Sequence, residues 1–228
     1  MIKKITSVFL KILIWFLGVS VLSVFIFRFV PIPITPLMII RTIEQKVDNK
    51  NIKMKKDWVS LNKIGTSMPL AVIAAEDQKF EEHFGFDIDA IQKAENYNDK
   101  HKGKKMRGAS TISQQTAKNV FLWPSRSWIR KGFEVYFTFL IEIFWSKQRI
   151  MEVYLNVIEM GDGVYGIEAA SQNYFHKSAI NLSVKEAALI AAILPNPISW
   201  NPVHPSSRVQ RKANRIVHFI SKLQLEDF

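Results

Sequence analysis

Three stretches of this 228-residue chain set polar and charged side chains where they can do chemistry. In the first, Glu76 and Asp77 follow the apolar run LAVIAA at 70–75, so Glu76 stands at the polar exit of a buried helix. A carboxylate in such a place can acquire a raised pKa and serve as acid or base. The alternative is a solvated helix end, because Glu81 and Glu82 add to the same acidity. His83 beside Glu82 and Asp87 invites a metal, but no second histidine completes a recognisable ligand spacing.

The second stretch is GASTISQQTAKN at 108–119. Gly108 leads into Ser110 and Thr111 at a helix start, where free N–H groups and hydroxyls can hold an anion. Lys118 follows two helical turns later, near the same face. The pattern is not a nucleotide-binding P-loop. Gln114 and Gln115 can also be read as exposed helix formers. The third stretch is RSWIRKGFE at 126–134, where Arg130 and Glu134 are i,i+4 neighbours. Such a pair is ordinarily a surface ion pair of little worth. Arg126, Arg130 and Lys131 can instead meet a phosphorylated ligand.

The elements that must position these residues are mostly helical. Thr111 with Gln114 and Ser183 with Glu186 form capping boxes. Thr111 opens a helix to about Phe121, and Ser183 opens one through AALIAAIL that stops at Pro195 and Pro197. Pro69 sits in the first turn of a helix that carries Leu70, Ile73 and Ala74. A long apolar helix is expected over 128–145 and an amphipathic one over 147–160, with Ile150, Val153, Tyr154 and Val157 on one face. A last amphipathic helix runs from about Ser207 to Leu223. No β-rich alternation is visible, so a mainly α domain of seven or more helices is predicted. The charged stretch at 96–108 reads as a flexible loop, either a solvated linker or a cover for substrate.

Ahead of that domain, residues 12–27 carry no charge, and the apolar segment extends over 8–30. About 20 such residues span a bilayer as a helix, and terminal Lys11 and Arg28 can snorkel. The run is too long for a cleaved signal and lacks a small-residue cleavage site. Lys3, Lys4 and Lys11 outweigh Arg28, which predicts a cytoplasmic N-terminus and a domain outside the membrane. The expected organisation is therefore a cytoplasmic segment at 1–7, a transmembrane anchor at 8–30, a Lys-rich membrane-proximal stalk at 31–64 and a helical domain at 65–228. That location argues against DNA and ATP as substrates.

Composition narrows the classes further. Hydrophobic residues at 48% and charged residues at 22% describe a chain with a packed core. The absence of cysteine excludes thiolate chemistry and thiolate metal sites. The net charge of +11 favours polyanionic partners, but four of those charges lie in residues 1–30. The remaining seven are a weaker bias than dedicated nucleic-acid binders carry, so no nucleic-acid partner is expected.

Taken in order, five segments resemble the peptidoglycan glycosyltransferases that polymerise lipid II. They are Glu76-Asp77 with Phe80, His83, Gly85 and Asp87; Gly108 through Asn119; Arg130, Lys131 and Glu134; Lys147, Ile150, Glu152, Tyr154, Leu155 and Asn156; and GDGVYGIEAASQNYF with the later AAILPNP. They cover about 65–205. With no transpeptidase region following, the monofunctional members are the expected match, and the S-x-x-K formed by Ser60 and Lys63 is an accident.

The resemblance implies a lysozyme-like, two-lobed helical fold with a membrane-proximal groove. It implies transfer of a growing glycan, activated as undecaprenyl pyrophosphate, onto the 4-hydroxyl of lipid II, giving a β-1,4 linkage with inversion. Glu76 matches the base and Glu134 the second carboxylate, near the donor pyrophosphate. Lys118 and Arg130 match the cations that stabilise the departing diphosphate, with Lys131 beside them. Ser110, Thr111, Gln114, Gln115 and Asn119 would shape the donor pocket, while Glu152, Tyr154 and Asn156 support the groove. A divalent cation, magnesium or manganese, is implied beside the pyrophosphate, and no organic cofactor. The implied partners are lipid II, the growing strand, the membrane and other proteins of cell wall synthesis. The Lys-rich segment at 93–107 departs from the family pattern. A lysozyme-type cleaving enzyme, which has no use for Lys118 and Arg130 at a diphosphate, and a non-enzymatic wall binder, whose function Glu76→Gln would leave intact, are the competing readings.

Overall fold

The computed structural model describes residues 2–101, 107–125 and 127–222. Ten α-helices dominate these residues. After the N-terminal α1 (Ile2–Phe27) come α2 (Pro36–Val47), α3 (Ser67–Glu76), α4 (Ile88–Lys100) and α5 (Ile112–Phe121). Next are α6 (Trp128–Phe144), α7 (Lys147–Val157), α8 (Ile167–Phe175), α9 (Val184–Ile193) and α10 (Ser207–Ile220). Both predicted capping boxes form, at Thr111 of α5 and Ser183 of α9.

Two helix sets share one core. In the first, α9 is apolar on all sides and buried from Ala187 to Ile193, which only a central helix can be. It packs against α3 and α10. The amphipathic α10 turns Val209, Ala213 and Ile216 inward at i, i+4 and i+7. In the second set, α5 packs against α6 and α7. Tyr154, Leu155 and Met151 of α7 and Ile112 of α5 are fully buried between the two sets.

A small sheet was not expected. β1 (Lys55–Lys56), β2 (Glu159–Gly161) and β3 (Val164–Tyr165) order as β1-β3-β2, with β1 parallel and β2 antiparallel to β3. Strands of two or three residues are too short to show alternation in sequence. Gly163 lies at φ +68°, and a Cβ there would stand 2.3 Å from the Lys53 carbonyl oxygen, so the β2–β3 turn requires glycine.

The sheet also corrects the reading of 31–64 as a stalk. Ile32 and Met38 are buried, Gln45 Oε1 accepts from the Lys53 amide (2.7 Å), and β1 joins the domain's sheet. The lysines that mark this segment as solvated say nothing of the apolar residues between them. The charged stretch at 96–108 likewise begins as helix: Asp87 caps α4 through the Ala90 amide (2.8 Å), and α4 runs on to Lys100. Residues 102–106 lie outside the described residues.

Among the described residues one helix can cross a membrane by length and apolarity: Thr6–Phe27, 22 residues with mean hydropathy 2.4. It docks along α6. Phe16 meets Phe133, Ser20 Oγ meets the Tyr136 hydroxyl (2.6 Å), and Phe25 meets Phe144. Both numbers rise together, so the two helices run parallel. Trp145 Nε1 donates to the Val24 carbonyl (2.8 Å), and the Arg149 guanidinium donates to the carbonyls of Phe27 (2.8 Å) and Val30 (2.6 Å). A cation on the last carbonyls satisfies their free lone pairs and the helix dipole together.

The aromatic face of α6 therefore splits. Phe137, Leu140 and Ile141 enter the core, while Val135, Phe139 and Ile143 remain exposed. Asn156, fully buried, clamps the chain before α3: its side chain accepts from the Val59 amide (2.9 Å) and donates to the Val59 carbonyl (2.8 Å). Asn156→Ala strands both backbone groups and is expected to lower the unfolding free energy by about 2 kcal/mol in urea titrations. Unchanged stability would show that the clamp is dispensable.

Candidate active site

Glu76 is the last residue of α3, and its carboxylate opens into a cleft of about 580 Å³ lined also by Asp87, Ser110, Thr111, Gln115 and Lys212. Its Oε2 accepts from Gln115 Nε2 (3.2 Å), and its Oε1 lies 3.4 Å from Lys212 Nζ of α10. Gln115 is itself oriented, because the Tyr154 hydroxyl donates to its Oε1 (3.3 Å). Burial raises the Tyr154 pKa well above that of an ordinary phenol, and the charges of Glu76 and Asp77 add to the shift. The phenol thus stays protonated as a donor. The chain Tyr154–Gln115–Glu76 leaves the carboxylate held by one neutral amide and by the Lys212 ammonium.

The neighbouring polar residues build the wall of this cleft. Asp77, buried, accepts from the Ile112 amide at the start of α5 (3.0 Å) and pairs with His83 Nε2 (2.9 Å). His83 is therefore a partner of that cap. Thr111 Oγ1 donates to the Gly85 carbonyl (2.7 Å), and Gln114 Oε1 accepts from the Thr111 amide (3.0 Å). Gly85 sits at φ +76°, where a Cβ would press on Thr138 and Glu142 within 3 Å. Gln114 is buried, spends its side chain on the capping box and lines neither cleft described here. Neither Gln114 nor Gln115 is the exposed helix former that composition allows.

One turn further along α5 lies a second cavity, about 560 Å³, lined by Lys118 and Asn119 of α5, Arg130 of α6, Arg41 of α2 and Glu159 of β2. Lys118 lines this cavity and is exposed there to solvent. The surrounding protein still desolvates its ammonium and lowers its pKa; Glu134 and Glu76 oppose the shift, and Arg130 and Lys131 reinforce it. One lysine thus feels both candidate carboxylates. Among the described residues, no hydrogen bond or ion pair ties its ammonium down.

Glu134 is the anchor of the cation cluster. Its side chain is only 4% exposed and accepts from Arg130 Nη1 (2.8 Å) and Lys131 Nζ (2.6 Å). This is a buried pair, unlike the surface pair that i,i+4 spacing ordinarily makes. Arg126 lies outside the described residues. Burial raises the pKa of Glu159, against the pull of Arg41.

A protein-built metal site does not fit here. Among the described residues no three His, Asp or Glu side chains cluster, and both oxygens of Glu134 already accept from cations. Sequence reasoning did not single out Arg41, Glu159 or Lys212. Arg41 stood among the solvated charges of the expected stalk, and Lys212 lies 136 residues from Glu76 on a helix where every charge reads alike.

The chain matches the Transglycosylase family model over residues 43–221. It is 53% identical over 220 residues to a biosynthetic peptidoglycan transglycosylase of Bacteroides thetaiotaomicron, covering 96% of this chain and 88% of that one. It is 54% identical to the protein of that name from Bdellovibrio bacteriovorus, over 92% of this chain and 84% of that one. A Pseudomonas fluorescens protein of the same name is 49% identical over the whole chain and 94% of its own. This chain belongs to the transglycosylase family, whose domain is lysozyme-like.

The two carboxylates should respond differently to neutralisation. Glu76→Gln keeps an acceptor for Gln115 and is expected to change unfolding stability by less than about 0.5 kcal/mol. Glu134→Gln leaves Arg130 without its buried counter-charge and is expected to cost about 3 kcal/mol. Denaturant unfolding of the detergent-solubilised chain measures both, and equal stability of the two variants would contradict the assigned environments.

Proposed function

We propose that this chain is a peptidoglycan glycosyltransferase of cell wall synthesis, joining lipid II units into β-1,4-linked glycan strands with release of undecaprenyl pyrophosphate. The observation that carries the reading is the pair of cavities met along one face of α5, with a carboxylate in one and a group of cations in the other. Lipid II and the growing strand are the substrates.

Glu76 takes the proton of the acceptor 4-hydroxyl as that oxygen forms its bond to the donor anomeric carbon. The bond from that carbon to the diphosphate oxygen breaks, and its electron pair leaves with the diphosphate. The attack comes from the face opposite the leaving group, as in inverting glycosidases. Lys118 and Arg130 meet the charge that develops on the diphosphate, in a cavity where preorganised cations act more strongly than in water. Glu134 holds Arg130 and Lys131 in register. Gln115 and Tyr154 aim Glu76; Ser110, Thr111 and Asn119 shape the pocket walls. No step requires a metal held by the protein.

The anchor accounts for access to so apolar a substrate. Residues 8–30 hold the domain at the membrane, with the N-terminus in the cytoplasm and the catalytic domain on the outer side, where proteins of wall synthesis are its partners. Because α6 runs beside the outer half of α1, the start of α6 lies at bilayer depth. Trp128, 92% exposed, and Ile129 then face acyl chains. A polyprenyl chain need not leave the bilayer, which would cost about 0.8 kcal/mol per CH₂.

Purified full-length protein given lipid II is expected to make polymer and release undecaprenyl pyrophosphate. Glu76→Gln should lower that rate about a hundred- to ten-thousandfold. Digestion of finished wall, or turnover untouched by Glu76→Gln, would favour the cleaving or binding alternatives. Because desolvation lowers the Lys118 pKa, the ammonium is lost below the pH at which an ordinary lysine titrates. The alkaline fall of kcat/KM should therefore begin below about pH 10.4, and Lys118→Arg, which keeps its proton, should move it upward. An alkaline limb unmoved by Lys118→Arg would remove this lysine from the diphosphate.

A further inference from the structure

The diphosphate cavity has a third cationic wall that comes from outside the motif region. Arg41 stands on α2, the helix that follows the anchor, and reaches the same cavity as Lys118 of α5 and Arg130 of α6. Its Nη1 is engaged by Glu44 (2.9 Å), but its Nε is buried and has no hydrogen-bond acceptor. The nearest carboxylate oxygen, on Glu159, is 3.6 Å away. The Nε of Arg130 is likewise buried and without an acceptor. Two guanidinium N–H groups thus stand desolvated and unsatisfied around one space, and each such donor is unfavourable until an acceptor arrives.

The chemistry that satisfies them is phosphate oxygen. Arginine presents a rigid fork of donors suited to such oxygens. At about 560 Å³, the cavity holds roughly twenty water volumes, enough for two linked phosphates. Three cations from three helices surround it, against Glu159 and the already paired Glu134. The helix that carries Arg41 is fixed, because Met38 and Gln45 bury α2 against the domain on either side of it.

Resting on the glycosyltransferase reading, we infer that Arg41 is a substrate-binding residue that, with Lys118 and Arg130, selects a prenyl diphosphate over a prenyl monophosphate, and that Glu159 positions its guanidinium while the cavity is empty. The second phosphate carries the charge and the acceptor oxygens that a third cation is needed to meet. A monophosphate is served by the other two.

Calorimetric titration of the full-length chain in detergent micelles with farnesyl diphosphate and farnesyl monophosphate tests this. Arg41→Gln is expected to weaken the diphosphate about tenfold and the monophosphate much less, the scale of one charge-assisted hydrogen bond. Arg41→Lys should restore part of the loss, and unfolding midpoints close to that of the parent chain confirm that the variants fold. Equal affinities for parent and Arg41→Gln, or an equal loss for both ligands, would overturn the assignment. Lys118→Ala separates the two levels. If it weakens the diphosphate while Arg41→Gln does not, only the role of Arg41 falls. If neither matters, this cavity is not the diphosphate site, and the assignment of the cavity in the functional reading falls with it.

Discussion

Cations that line one small cavity repel one another, and a fold can keep them there without substrate only by setting fixed carboxylates behind them. Glu134 does this for Arg130 and Lys131, from a position closed to solvent. Glu159 and Glu44 do it for Arg41. Lys118 alone is left without such a partner among the described residues, and desolvation, with the charges of Arg130 and Lys131, lowers its pKa. The site stores unfavourable electrostatics that an incoming anion would relieve.

The rest of the domain serves to hold Glu76 and the cations along one face of a single helix. Helix α5 is the link: Gln115 touches Glu76, and one turn later Lys118 and Asn119 line the cation cavity. Its start is pinned by three separate acceptors, namely Asp77 to the Ile112 amide, Gln114 to the Thr111 amide and the Gly85 carbonyl to the Thr111 hydroxyl. Lys147 ties the same region to α6 through Glu142 (2.9 Å) and the His83 carbonyl (2.7 Å). Residues that look reactive in the motif, such as Asp77, His83 and Gln114, are therefore spent on holding this helix still. Precision of this kind matters because catalysis depends on small displacements of positioned groups.

The membrane helix belongs to the same construction. Arg149 ends α1 by binding its last carbonyls and also pairs with Glu152, which in turn accepts the Leu61 amide (2.8 Å). One connected set of polar contacts runs from the anchor to the chain before α3. The depth of the site relative to α1 follows from packing, not from the length of a tether.

Much of this was legible in the sequence, because local rules are written in nearby residues. Caps, prolines, apolar periodicity and the charge-free stretch at 12–27 depend on neighbours a few positions apart, and the motifs at 76–87, 108–119 and 130–134 carry their own spacing. What the sequence could not express was partnership at a distance. Whether Arg130–Glu134 is a surface pair or a buried one depends on what packs over α6, and whether 31–64 is stalk or domain depends on a strand more than a hundred residues later. Arg41 and Lys212 look like ordinary solvated charges until α2 and α10 are placed. Residue type and local spacing thus determined the helices and the chemical groups available; tertiary packing alone decided which groups share a cavity and which are buried, because desolvation and charge pairing act through space and not along the chain.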